Sequence, residues 1–148
     1  MPELPFRLGS TSYVYSDDLL PNVRRLSPLV EDIELVLFEV PEASNLPDTA
    51  TLDALGRLAA AHQLTYTVHL PLDLHVAPGD PSMAMARRII ALTRPLSPYA
   101  YVAHLDAREP LRRGDRRAWA AWREASSAGL AELADAAGGS ERLCIENL

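Results

Sequence analysis

The sequence predicts an α/β fold, a partial (β/α)8 TIM barrel of about five parallel strands with helices on the outer face. Three observations lead there. Apolar, β-rich runs alternate with helical segments in the order β-α-β-α-β-α-β-α-β along the 148 residues. Acid or imidazole groups recur at the ends of those runs: Glu39 in "DIELVLFEV", His69 in "TYTVHL", His104 in "YAYVAHLD" and Glu146 in "RLCIENL". The intervals between them are 30, 35 and 42 residues, and one strand–helix–strand unit takes about 30 or more. In a barrel the C-terminal strand ends face one mouth, so residues far apart in sequence meet there.

Each element has its own signal. "PFRLGSTSY" reads as strand one, ending near Ser10 to Ser12. Ser16 or Asp17 can cap a helix through "DDLLPNVRRLSPLV", with Pro21 tolerated in its first turn. "DIELVLFEV" is strand two, and Pro41, Asn45 and Pro47 break the chain after it. "TATLDALGRLAAAHQL" carries Leu52, Leu55, Leu58 and Ala59 at helical spacing. "TYTVHL" is strand three, "PLDLHVAPGD" a loop, and "PSMAMARRIIALTRPL" a helix with Pro81 near its first position. "YAYVAHLD" is strand four and "REPLRRGD" a loop. A long helix then runs through "RRAWAAWREASSAGLAELADAAGG" and stops at Gly138 and Gly139. "RLCIENL" is strand five. Strands two to five are mostly apolar rather than alternating, as expected when both faces of a parallel sheet are covered.

An open doubly wound sheet is the competing architecture. No glycine-rich phosphate loop follows strand one, since "GSTSYVYSDD" holds only Gly9, so dinucleotide and P-loop chemistry are not indicated. A whole barrel takes about 250 residues. The expectation is therefore a single domain over residues 1–148 that corresponds to the first five of eight units, an incomplete or truncated barrel.

Composition narrows the function. Hydrophobic residues make up 48% and charged residues 23%, as in a soluble globular domain. The net charge is −6 and all 14 basic side chains are Arg, which argues against nonspecific nucleic-acid binding through a broad basic face. The pairs Arg24/Arg25, Arg87/Arg88, Arg112/Arg113 and Arg116/Arg117 are expected on solvated faces. The lone cysteine, Cys144, is expected to be a small buried hydrophobe inside strand five. No signal peptide is visible in "MPELPFRLGS", and no apolar run approaches the roughly 18 residues of a membrane span. A cytoplasmic protein with no membrane partner is the expectation.

Two imidazoles and a carboxylate converging in one mouth suggest a metal site made by His69, His104 and Glu146. Neutral imidazole and carboxylate suit Zn, Mn, Fe or Co better than Ca or Mg, and three protein ligands leave positions open for water or substrate. Such a metal can lower the pKa of a bound water toward about 7 and polarise a phosphoryl or carbonyl oxygen. Each residue alone also has a structural explanation as a hydrogen-bonded strand end. A carboxylate buried in the apolar "CIENL" needs a cation or donors, and an Arg could serve in place of a metal. Asp106, two residues after His104, could orient that imidazole, act as a ligand, or cap its loop. Glu39 reads as a substrate contact, a group behind the ligands, or a strand-end cap. Asp73 and His75 lie where a barrel places substrate contacts, though a solvated loop suits His75. Tyr13 and Tyr15 could line the mouth or pack on helix one. His62 is expected exposed at a helix end, and Trp119 with Trp122 to form a helix–barrel contact.

The strings "VHLP", "HLD" and "IENL" resemble the pattern of xylose-isomerase-like TIM barrels, the superfamily that includes type 2 AP endonucleases. Within it, "RLGSTSYVYSDDLLPNVRRLSPLVEDIELVLFE", "LTYTVHLPLDL" and "LTRPLSPYAYVAHLD" are similar to the cobamide-remodelling phosphodiesterases of CbiR type. The resemblance covers nearly the whole chain. It implies metal-dependent hydrolysis of the phosphodiester in the nucleotide loop of a cobamide, a small-molecule substrate. It implies His69, His104 and Glu146 as ligands of a divalent metal, Zn or Mn, with Glu146 able to bridge to a second ion. Glu146 and His104 would be catalytic, and Glu39, Tyr13, Asp73 and Asp106 would bind substrate. Family members draw further ligands from strands six to eight, and this sequence holds no such strands. The expectation is that this polypeptide is weakly active or inactive and self-associates through an exposed edge of strand five. Two other functions suit the scaffold: a sugar isomerase or epimerase, and a non-catalytic half-barrel that binds or assembles.

Overall fold

The computed structural model describes residues 5–107, 111 and 113–146. In chain order it contains β1 (Gly9–Thr11), α1 (Leu19–Leu26), β2 (Asp32–Val36), β3 (Glu39–Val40), β4 (Ala43–Ser44), α2 (Thr49–His62) and β5 (Thr65–His69). Then follow α3 (Pro81–Thr93), β6 (Ala100–His104), α4 (Arg116–Ala137) and β7 (Leu143–Glu146), with short 3-10 turns at Arg94–Leu96 and Ser140–Arg142. The parallel sheet runs β1-β2-β5-β6-β7, each strand beside its neighbour in the predicted order. No helix among the described residues is long and apolar enough to cross a membrane.

The two faces of the sheet differ. Ile33 and Leu35 of β2, Tyr66 and Val68 of β5, and Tyr101 and Ala103 of β6 are buried in one cluster with Val23, Leu55, Ile89, Ile90 and Leu133 of the helices. The opposite row holds Asp32, Glu34, Thr65 and Thr67, all only partly buried. The core therefore lies between sheet and helices, and the other face is polar. That corrects the expectation of strands covered equally on both faces: β2 and β5 alternate in burial because one face alone is packed by helices.

The helices are fixed by local chemistry. Asp48 accepts from Thr51 N at 2.7 Å, Asp80 from Ser82 N at 3.0 Å and Asp115 from Ala118 N at 2.9 Å, so α2, α3 and α4 each have a side-chain N-cap. Pro81 occupies the first turn of α3. Gly138, at φ 92°, ends α4 in the left-handed region. In α1 the expected cap at Ser16 or Asp17 is absent, and the flanking Asp18 makes no side-chain cap bond. The buried Asn22 serves instead, from inside the helix. Its Oδ1 accepts from Tyr15 N at 2.8 Å, and its Nδ2 donates to the carbonyls of Tyr15, Asp17 and Asp18.

Strand two is shorter than the sequence suggests. The sheet loses the chain after Val36, and Glu39 sits in a two-stranded antiparallel hairpin, β3–β4. Asn45 causes the departure: its Oδ1 accepts from Phe38 N and its Nδ2 donates to Val36 O, both at 2.8 Å. Those backbone groups would otherwise extend the ladder. Cys144 is exposed, not buried. Its strand, β7, pairs with β6 alone among the described residues, and Ile145 beside it is also exposed. Residues Asn147 and Leu148, expected to extend strand five, and Arg112 of one arginine pair lie outside the described residues.

Two buried tyrosines tie strands to helices. Tyr66 donates its hydroxyl to Leu55 O at 2.9 Å, and Tyr101 donates to Ile90 O at 3.3 Å. Burial pushes the Tyr66 phenol well above its ordinary value. Close packing elsewhere rests on a missing side chain. A Cβ at Gly129 of α4 would lie 2.9 Å from the Val76 carbonyl carbon and 3.0 Å from Ala77 N, whereas one at Gly56 of α2 would meet nothing within 4 Å. The two helical glycines should respond oppositely to the same substitution. Gly56→Ala should raise stability by up to about 1 kcal/mol through helix propensity. Gly129→Ala should lower it by about 1–3 kcal/mol, because backbone must move. Urea midpoints at unchanged slope measure both; a stabilising Gly129→Ala would refute the close approach of α4 to residues 76 and 77.

Candidate metal centre

β5, β6 and β7 end at His69, His104 and Glu146. Register then sets their relation. His69 stands beside Val102, two residues below His104 on the same face of β6, and His104 stands directly beside Glu146. The three side chains meet on the polar face at the C-terminal ends of the strands. His69 Nε2 lies 3.2 Å from His104 Nε2 and 3.4 Å from Glu146 Oε2, and His104 Nε2 lies 3.0 Å from the same oxygen. The two rings are edge to face, 82° apart, with centroids separated by 4.7 Å.

These distances fit a common metal ion. Ligands about 2.0–2.1 Å from a tetrahedral centre stand about 3.3 Å from one another, close to all three observed edges. Protons alone serve the cluster less well. One proton shared between the two Nε2 atoms makes a single N–H···N bond for which Glu146 competes; with none, lone pairs oppose, and with one on each, two N–H groups collide. A cation inside the triangle satisfies all three donors together. His69 is prepared for it, since its Nδ1 is 2.7 Å from Leu70 O. A carbonyl only accepts, so Nδ1 carries a proton, and Nε2 is left to present a lone pair to a metal or, in the metal-free protein, to donate to Glu146 when protonated.

The site is asymmetric in exposure. His69 and His104 are buried, while the Glu146 side chain is 52% exposed. The expectation of a buried Glu146 therefore does not hold, because the face of β7 it stands on lies open. Its ion-pair partners among the described residues are the two imidazoles rather than an arginine. The hydrogen bond from His104, and then that from His69, hold its carboxyl below the ordinary carboxylate range.

The other residues marked from sequence do not join this cluster. β6 ends at His104, so strand alternation no longer carries Asp106 to the same face. Asp106 is exposed, and its Oδ1 accepts from Ala107 N at 2.7 Å, a loop cap. Glu39 is ion-paired with Arg88 of α3. Asp73 is exposed in the loop after β5. Both border an apolar cavity that also touches Val36 and Leu70. Tyr13 is exposed on the loop after β1. Tyr15 packs toward helix one, with Arg25 5.1 Å above its ring and its amide held by Asn22.

His75 departs from the expected solvated loop. Its Nδ1 is 3.1 Å from Asp80, and its backbone N–H donates to Ser82 Oγ at 2.9 Å, so the loop is moored to the start of α3. Trp119 and Trp122 stand edge to face with centroids 5.7 Å apart, and Trp119 is 40% exposed. His62 is exposed at the end of α2, as expected. The Leu70 carbonyl that orients His69 leaves no trace in residue type. The cavity could have been sensed only through Phe38, Val40 and Leu72, apolar residues in segments otherwise rich in turn formers.

No protein-family model and no curated protein sequence matches the chain. Solved structures match its fold. A D-tagatose 3-epimerase-like protein superposes with a TM-score of 0.66 at 14% identity, over 96% of this chain and 52% of its own. Endonuclease IV from Thermus thermophilus does so at 0.63 and 15% identity, over 95% of this chain and 50% of its own. TTHB071 protein from the same organism, soaked with ZnCl2, gives 0.55 at 21% identity, over 95% of this chain and 55% of its own. These are xylose-isomerase-like TIM-barrel proteins, and at such identities the likeness is one of fold. The chain spans about half the length of the structures it matches, in keeping with a sheet of five strands from a barrel of eight.

The carboxyl of Glu146 offers a direct check on the contacts. Its lowered pKa means that its ionised form stabilises the metal-free fold above the ordinary value of 4.5, a contribution lost as pH falls through the lower folded value. A carbon-detected NMR titration of the metal-free protein should place its midpoint below 4.5. His104→Ala should move the midpoint back up more than His69→Ala does. A midpoint indifferent to both substitutions would mean that the three side chains do not meet.

Proposed function

We propose that the chain takes part in metal-dependent hydrolysis of a phosphodiester, with the nucleotide loop of a cobamide as substrate. The observation that supports this most is the triangle of His69 Nε2, His104 Nε2 and Glu146 Oε2, with edges of 3.2, 3.4 and 3.0 Å. Similarity of the strings around these residues to the cobamide-remodelling phosphodiesterases supports the choice of substrate. A Zn or Mn ion held by the three residues would supply positive charge to the phosphoryl oxygens and acidify water.

The chain's own groups account for the rest. Leu70 O fixes the His69 ring, so the ligand field is set before substrate arrives. Burial of both imidazoles keeps them in place, while the exposure of Glu146 leaves a path for water. Glu146 engages the imidazoles through Oε2, and its Oε1 makes no hydrogen bond among the described residues. That oxygen would take a proton from the attacking water as the P–O ester bond breaks and would return it to the departing ester oxygen. The same carboxylate and metal charge would suit proton movement next to a carbonyl. The fold shared with the D-tagatose 3-epimerase-like protein favours this as a second reading, sugar epimerisation.

The two are separated by supplying zinc-loaded protein with a cobamide or with a ketohexose and following products by mass and by sugar chromatography. Phosphodiester cleavage is expected, weak in this chain, abolished by chelator, and about 100-fold or more lower in Glu146→Gln. Epimerised sugar without cleavage would replace the first reading by the second. Neither product, with no zinc retained, would leave a non-catalytic module.

A further inference from the structure

We propose that the cavity between the β3–β4 hairpin and α3 binds a flat aromatic ring carrying a cationic or N–H edge, a group belonging to the ligand that reaches the metal centre. The cavity measures about 350 Å³, the lower end of the range for small-molecule sites. Its size suits a compact group. Phe38, Val40, Leu70, Leu72 and Met85 supply its walls. Val40 and Leu72 at its lips are 48% and 68% exposed, an apolar rim facing water. A phenyl ring and a thioether in the same lining favour an aromatic occupant over an aliphatic one, through ring–ring and sulfur–ring contacts.

Charge at the rim sets the polarity of the occupant. The ionisable groups bordering the cavity are Glu39 and Asp73. Glu39 is taken by Arg88. Asp73 makes no hydrogen bond or ion pair among the described residues, so an acceptor-only carboxylate remains for the ligand. The site is also built before any ligand arrives. Asn45 holds the base of the hairpin, and the Glu39–Arg88 pair ties the hairpin to α3.

Position links the cavity to the metal centre. Val36, on its wall, stands in register beside His69. Leu70, also on its wall, gives the carbonyl that orients the His69 ring. A ring seated here would touch residues that adjoin His69 in register and in sequence. The inference rests on the proposed function only in treating the occupant as part of a substrate; the preference for a cationic ring stands apart from it.

Benzylammonium and benzoate, rings of like size and opposite charge, test the idea by methyl and amide NMR titration of the whole chain. Benzylammonium should shift Val40, Leu72 and Met85 and bind about 30-fold more tightly than benzoate, since a unit charge about 4 Å away in water favours the cation about fivefold and disfavours the anion about fivefold. Asp73→Asn should erase that preference, and Leu72→Ser, at an exposed position, should weaken both rings. Equal binding of the two rings by the wild type, or shifts confined to other surfaces, would overturn the assignment. Zinc titration of the same samples separates this from the reaction. Zinc bound without ring binding defeats the cavity alone, and ring binding without zinc defeats the metal centre alone.

Discussion

The register of three parallel strands is the constraint on which the site depends. Val36, His69 and Val102 stand in one row, and His104 stands beside Glu146 in another. A slip of one residue in any strand would turn its ligand onto the opposite face. The ligand contacts cannot themselves enforce this, since one partner is half in water. The helix-covered face enforces it. Ile33, Leu35, Tyr66, Val68, Tyr101 and Ala103 are each at most 1% exposed. Turning two or three such large side chains into water costs on the order of 5 kcal/mol at about 1.5–3 kcal/mol each. That rivals the whole margin of about 5–15 kcal/mol by which domains are stable.

Stability and chemistry are thus divided between the faces of the sheet. Apolar burial and the tyrosine hydroxyl bonds to Leu55 and Ile90 lie on the helix side. Asp32, Glu34, Thr65 and Thr67 on the other side leave a polar surface leading up to the ligands. Substitution at the mouth therefore disturbs little of the packing that holds the strands together. The loops above the mouth have their own fastenings: Asn45 for the hairpin, and Asp80 with Ser82 for the segment around His75.

Much of this was legible in the sequence, because the features concerned repeat or are long. The five parallel strands and their order followed from apolar runs separated by helical periodicity. The convergence of His69, His104 and Glu146 followed from their place at the ends of those runs. What escaped was decided by single side chains acting on backbone. "DIELVLFEV" reads as one strand, but Asn45, nine residues after Val36, binds the carbonyl that would have continued it. Asn22 replaces the expected helix cap from within α1, and residue type alone cannot distinguish it from a solvated Asn. Cys144 and Glu146 sit in an apolar string that suggests burial, yet β7 has β6 as its one neighbour among the described residues. Burial there is a property of the sheet's edge rather than of the string.

The chemistry turns on whether two imidazoles and one carboxylate act as a single ligand set. Cys144 makes the question sharp, since it stands beside Val102 in the row of His69 and is exposed. Thiolate is a strong zinc ligand in its own right. X-ray absorption at the zinc edge, on protein loaded with one equivalent of zinc, distinguishes the two. The account predicts nitrogen and oxygen neighbours at about 2.0–2.2 Å, with the multiple-scattering pattern of two imidazoles, and no sulfur. A sulfur neighbour at about 2.3 Å, or a spectrum showing no imidazole, would contradict it.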